Sequence, residues 1–218
     1  MRQIAYYSIW LFVFVIPWEH AAHIEGIGSL GRLSGFLLVG LCAPALALGT
    51  RIRLPTPYHL LLTLFVVWAG LSAFFWTLDP ARSIDRLWTY VQQLIVVFLI
   101  WQFVVTRRQH RELFKAYVLG AYVAVAATIN AYVSAPHRGF TGARFVGFDT
   151  DPNILGLKMA LGIPMAWYLT LRSDEMSSRV RWLCYLYIAS AMLAILLTAS
   201  RGAFLAAGTA LLVIPWTY

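Results

Sequence analysis

Residues 182–216 read WLCYLYIASAMLAILLTASRGAFLAAGTALLVIPW, and Arg201 is the one charged side chain among them. A buried strand takes four to eight apolar residues and barrel strands alternate in polarity, whereas a membrane-spanning helix needs about 20 predominantly apolar residues. The stretch therefore reads as two apolar helices, Trp182–Ala199 and Gly202–Trp216, joined with almost no loop at Ser200-Arg201. The same pattern recurs toward the N-terminus. The whole chain of 218 residues is 61% hydrophobic and 12% charged, with mean hydropathy +0.71. Soluble domains hold roughly 45–50% apolar and about 25% charged residues, so a soluble enzyme, a disordered chain and a disulfide scaffold are all excluded.

Six further apolar runs precede this pair: Ile4–Trp18, Leu33–Gly49, Tyr58–Leu78, Leu87–Val105, Leu113–Val133 and Ile154–Thr170. The fold class is thus all-α, a polytopic transmembrane helical bundle of about eight spans. No connection is long, Ser-rich or low in complexity, and residues 1–218 read as a single bundle. The first run follows a short basic start but lacks a cleavage site, because Glu19, His20 and His23 come next, and so it reads as an uncleaved helix. Cys42 and Cys184 fall on different runs and read as packed, reduced thiols.

Lys and Arg in the connections set orientation. With a cytoplasmic N-terminus, Arg2, Arg51, Arg53, Arg107, Arg108, Arg111, Lys115, Arg172, Arg179 and Arg181 lie inside, against Arg32, Arg82, Arg86, Arg138, Arg144 and Arg201 outside. Tyr6, Tyr7 and Tyr58 then mark the inner interface and Trp18, Trp76 and Trp88 the outer one. This bias accounts for the net charge of +8 without a nucleic acid partner.

The longest connection, residues 134–153, reads SAPHRGFTGARFVGFDTDPN. Its glycines allow close approach to backbone N–H groups, and Arg138 and Arg144 supply forked donors suited to phosphate oxygens. It ends in Asp151-Pro152-Asn153, where Asp is a preferred N-cap and Pro a preferred first helical residue, so a helix starts there with its positive dipole end outward. Lys158, one turn further on, leans back toward that end; it either joins the basic cluster or snorkels to lipid headgroups. Arg201 stands at the start of the last run, as a second cation beside a helix N-terminus or as an interfacial anchor. The arrangement suits a diphosphate at the outer membrane surface.

Elsewhere, Glu19, His20, His23 and Glu25 match no zinc spacing, and no metal is assigned. Asp79, Arg82, Asp85 and Arg86 lie at three- and four-residue spacings that favour local ion pairs, and Gln92, Gln93 and Asn130 read as interhelical glue. No P-loop, GxSxG or HExxH is present.

Arg144, Asp151-Pro152-Asn153 with Gly156, and Thr198-Ala199-Ser200-Arg201-Gly202 occur in an order and spacing that resembles the O-antigen ligase and O-antigen polymerase superfamily of bacterial envelope glycosyltransferases. The likeness covers about the last third of the chain. It implies a multi-pass enzyme of the bacterial inner membrane whose site faces the periplasm. Such an enzyme takes glycan from an undecaprenyl-diphosphate carrier, passes it to a lipid or glycan acceptor, and needs no cofactor. Arg144 and Arg201 would hold the diphosphate, with Arg138 and Lys158 beside them and Asp151, Asn153 and Ser200 in support. Family members have more spans and a large later periplasmic loop carrying the base, which implies that the chain is the front part of a longer protein; within it, His137 is the candidate base. Two other readings stand beside this one, a polymerase of the same superfamily and a transporter or flippase for an anionic or lipid-linked substrate.

Overall fold

The computed structural model describes residues 1–24, 28–48, 52–135, 144–148, 150–171 and 177–213. These form the helices α1 (Arg2–Val15), α2 (Leu30–Ala47), α3 (Pro57–Phe75), α4 (Pro80–Phe103), α5 (Arg107–Val133), α6 (Pro152–Leu171), α7 (Ser178–Thr198) and α8 (Arg201–Val213). Six of them, α2 to α7, are long and apolar enough to cross a membrane, and α8 is a shorter apolar helix. The protein is a helical membrane protein. A 3₁₀ turn (Ile16–Trp18) follows α1, and a two-stranded antiparallel ribbon, β1 (His23–Ile24) and β2 (Gly28–Ser29), leads into α2.

Each apolar run expected from the sequence holds a helix, but two helices begin well before their runs. α4 starts at Pro80 rather than Leu87, because the Asp79 carboxylate accepts a hydrogen bond from the Arg82 backbone N–H at 3.3 Å and Pro80 is preset for a first turn. α5 starts at Arg107 rather than Leu113, and its polar first turns include a Lys115–Glu112 pair at 2.8 Å. Charged residues continue a helix as readily as apolar ones, so hydropathy marks where the hydrocarbon begins and not where the helix does.

The chain divides into two compact units, with the boundaries falling within α1 and α2. The first comprises Met1–Ile9 and Leu37–Thr106. In it, Ala5, Ile9, Leu38 and Cys42 are fully buried, and the Cys42 thiol lies 3.8 Å from the Ala5 carbonyl. α3 and α4 form an antiparallel hairpin in which Gly70 meets Leu87 and Phe65 packs edge-on to Tyr90. Polar bonds close the other end. Gln102 accepts from the Arg53 backbone N–H and donates to the Arg53 carbonyl, both at 2.8 Å, while the Arg53 guanidinium stacks 3.9 Å from the Trp101 ring centre. His59, beside Trp101, completes a capping box with Thr56 at the start of α3.

The second unit comprises Trp10–Phe36 and Arg107–Tyr218. At its centre α6 touches α5, α7 and α8. Glycines permit these approaches. A Cβ on Gly162 would run into the Tyr187 hydroxyl, and one on Gly120 into the Phe14 carbonyl oxygen. Pro164 removes one N–H from the α6 ladder, and two buried hydroxyls bond to carbonyls five and six residues before it: Tyr187 to Met159 at 2.7 Å and Tyr117 to Lys158 at 2.9 Å.

Candidate functional site

The segment entering α6, the first turns of α6, and the α7–α8 joint meet at one end of the second unit. Phe145 is buried, packs edge-on to Tyr132 of α5, and donates its N–H to the Leu197 carbonyl at 3.0 Å. Gly147 lies against the α5 backbone at Ala127 and Thr128, where a Cβ would sit 2.5 Å from that of Ala127. These two anchors fix the chain that carries Arg144. Phe148 then adopts a left-handed conformation, φ 66°, which turns the chain into the α6 cap. Asp151 Oδ1 accepts from the N–H groups of Asn153 at 2.7 Å and Ile154 at 3.2 Å, so α6 starts as its sequence requires.

The α7–α8 joint is equally tight. α7 stops because Ala199 is left-handed, φ 50°, with its N–H bonded to the Leu196 carbonyl. Ser200, 2% exposed, then caps α8 by accepting from the Ala203 N–H at 3.3 Å, and its own N–H is 3.3 Å from the Thr198 hydroxyl. Arg201 is therefore the first residue of α8. Gly156 brings α6 and α8 together, since a Cβ there would lie 2.7 Å from Ala203 Cβ and 3.4 Å from Ser200 Cβ. Two helix N-termini thus stand side by side: at α6 Asp151 takes the first-turn N–H groups of Asn153, Ile154 and Leu155, while at α8 the N–H groups of Arg201 and Gly202 have no acceptor among the described residues.

Arg144 and Arg201 are both exposed, and neither has an ion pair or side-chain hydrogen bond among the described residues. Arg201 lines an open apolar groove of about 440 Å³ together with Ile195, Leu196, Ala199, Ser200, Phe204 and Leu205. A cation on the wall of an apolar groove, at the N-terminus of α8, can hold the head of an anionic amphiphile. Its hydrocarbon would lie along the apolar wall.

Lys158 does not belong to this group. It lies about 200° around α6 from Gly156 at 100° per residue, and its ammonium meets Glu19 Oε1 at 2.6 Å. The lysine side chain is 16% exposed and the glutamate 29%. A charge this close to hydrocarbon takes a partner of opposite sign when the fold brings one within reach. Glu19 is further enclosed by His20, whose Nε2 is 3.6 Å away, and by Gly31, where a Cβ would strike the carboxylate. Among the described residues no group of three or more His, Cys, Asp or Glu is placed to hold a metal ion. His137 and Arg138 lie outside the described residues. Asn153 is exposed beside Asp151, and Asp79 forms its expected pair with Arg82 at 3.4 Å.

Comparison with protein-family models, with characterised proteins and with solved structures finds no match to this chain.

Proposed function

We propose that this protein is an O-antigen ligase-like glycosyltransferase of the bacterial inner membrane, a bundle of about eight spans with a cytoplasmic N-terminus and a periplasmic site. It moves glycan from an undecaprenyl-diphosphate carrier to an acceptor hydroxyl on a lipid or glycan. The observation that carries this reading is the placement of Arg201, exposed and without an ion pair among the described residues, at the head of α8 and on the wall of an open apolar groove. Arg201 and Arg144 bind the diphosphate, and the groove takes the first part of the polyprenyl chain. Attack by the acceptor hydroxyl at the anomeric carbon forms the new glycosidic bond and breaks the sugar–phosphate bond, with the hydroxyl proton passing to a base. The arginines stabilise the charge that develops on the departing diphosphate, which is the transition-state contribution their geometry offers. Polymerase and ligase share this donor chemistry and differ in the acceptor.

A transporter is favoured by one feature, the Glu19–Lys158 ion pair, whose lysine stands on a helix long and apolar enough to cross a membrane. Substitution tests the role of Arg201. In cells that depend on this protein for a surface polysaccharide, Arg201→Ala abolishes glycan transfer while the protein still inserts at normal level, and Arg201→Lys retains a fraction. Full polysaccharide assembly by Arg201→Ala overturns the assignment.

A further inference from the structure

α4 carries a polar face that nothing in its own unit covers. At 100° per residue, Arg82, Asp85, Arg86, Thr89, Gln92 and Gln93 fall within an arc of about 120°. All six are exposed. α3 packs on the far side of the helix, against Leu87, Tyr90, Phe98 and Trp101, with Gly70, Phe65 and His59 as its contacts. The glutamines lie inside a helix apolar enough to span a membrane, where an unpaired amide is costly. The same helix shows what a satisfied glutamine looks like: Gln102 is 5% exposed and makes two 2.8 Å bonds to Arg53. Gln92 and Gln93 have no hydrogen-bond partner among the described residues, and Asp85 and Arg86 have no ion pair there.

The order of these residues around the helix says what fits. Asp85 and Gln92 lie on one edge of the arc and Arg86 and Gln93 on the other, with Asp85 nearly level with Arg86 along the axis and Gln92 with Gln93. We propose that this face docks a second copy of the same chain, with the two α4 helices parallel and related by a two-fold axis along the membrane normal. In that arrangement one edge of each helix meets the opposite edge of the other. Asp85 then faces Arg86 of the second copy and Gln92 faces its Gln93, each twice, while Arg82, near the seam, keeps its own partner Asp79 at 3.4 Å. Thr89 lies near the seam, its hydroxyl already bonded to the Asp85 carbonyl at 3.2 Å.

The test uses the full chain in its own membrane, with Cys42 and Cys184 replaced by Ala so that only introduced thiols react. Co-expressed Gln92→Cys and Gln93→Cys chains are expected to cross-link on mild oxidation into a species of twice the single-chain mass. Ile95→Cys, on the adjoining apolar face, is expected to give none. Asp85→Arg lowers the yield roughly tenfold by placing like charges across the seam, and Asp85→Arg combined with Arg86→Asp in one chain restores it. That restoration also shows that the single variant was inserted and folded. Absence of a double-mass species, an equal yield at Ile95, a product of another mass, or failure of the double exchange to restore the yield overturns the proposal.

Discussion

The helices of the two units meet their neighbours in different ways. In the second unit, half of the most apolar stretch of α6 is buried, against 6% for α4 in the first. Around α6 the backbones approach closely at Gly156 and Gly162, and the 3₁₀ turn reaches α5 at Gly120. The α3–α4 hairpin has one glycine at its seam, Gly70, and the Leu87 methyls lie an ordinary 3.8 Å from where its Cβ would be. Lipid is as apolar as leucine, so helices in a bilayer gain by close packing and by shared hydrogen bonds rather than by leaving water. The second unit uses both, its close approaches joined by the bonds from Tyr117 and Tyr187 to α6 carbonyls, whereas the hairpin, through Arg53 and Gln102, relies on the second. Close packing also gives the rigidity that a site needs, and the arginine-bearing joint lies in the tightly packed unit.

Glycine substitutions break or sharpen this contrast. Gly120→Ala has the largest effect, because the added methyl meets the Phe14 backbone oxygen, which no rotamer change can move; overpacking of this kind costs about 3 kcal/mol or more. It is expected to lower the yield of folded protein and the thermal midpoint measured in detergent. Gly162→Ala displaces the Tyr187 hydroxyl and breaks its bond to Met159, a loss of about 1–3 kcal/mol that Tyr187→Phe partly relieves by removing the clashing oxygen. Equal midpoints for Gly162→Ala and the double variant would show that the clash is not with that oxygen. Gly70→Ala is nearly neutral, or stabilising by up to ~1 kcal/mol through helix propensity, since its methyl finds only van der Waals contact. A large loss at Gly70 would put tight packing in both units and remove the contrast.

Much of this architecture was legible in the order of residues. Apolar runs located every helix, because hydrocarbon admits little else, and Asp151-Pro152 marked the start of α6 because the cap chemistry is local. Features that depend on distant partners were not legible. Lys158 and Glu19 are 139 positions apart, and nothing local to either says that the fold joins them. The left-handed turns at Phe148 and Ala199 left no trace either, as both residues ordinarily avoid that conformation and are held there by the packing around Phe145 and Ser200. Of the candidate site, the two helix N-termini and Arg201 followed from the motifs, whereas the groove that Arg201 lines required the structure.

The most direct measurement is the affinity of the purified protein for undecaprenyl diphosphate, compared with undecaprenol of the same chain length, for the natural chain and for Arg144→Ala/Arg201→Ala. The account predicts that the diphosphate binds at least about tenfold more tightly than the alcohol to the natural chain. It also predicts that the double variant loses this preference while still binding both weakly through the apolar groove. An unchanged preference for the diphosphate in the double variant would contradict the account, because the anion would then be held somewhere other than the α6–α8 edge.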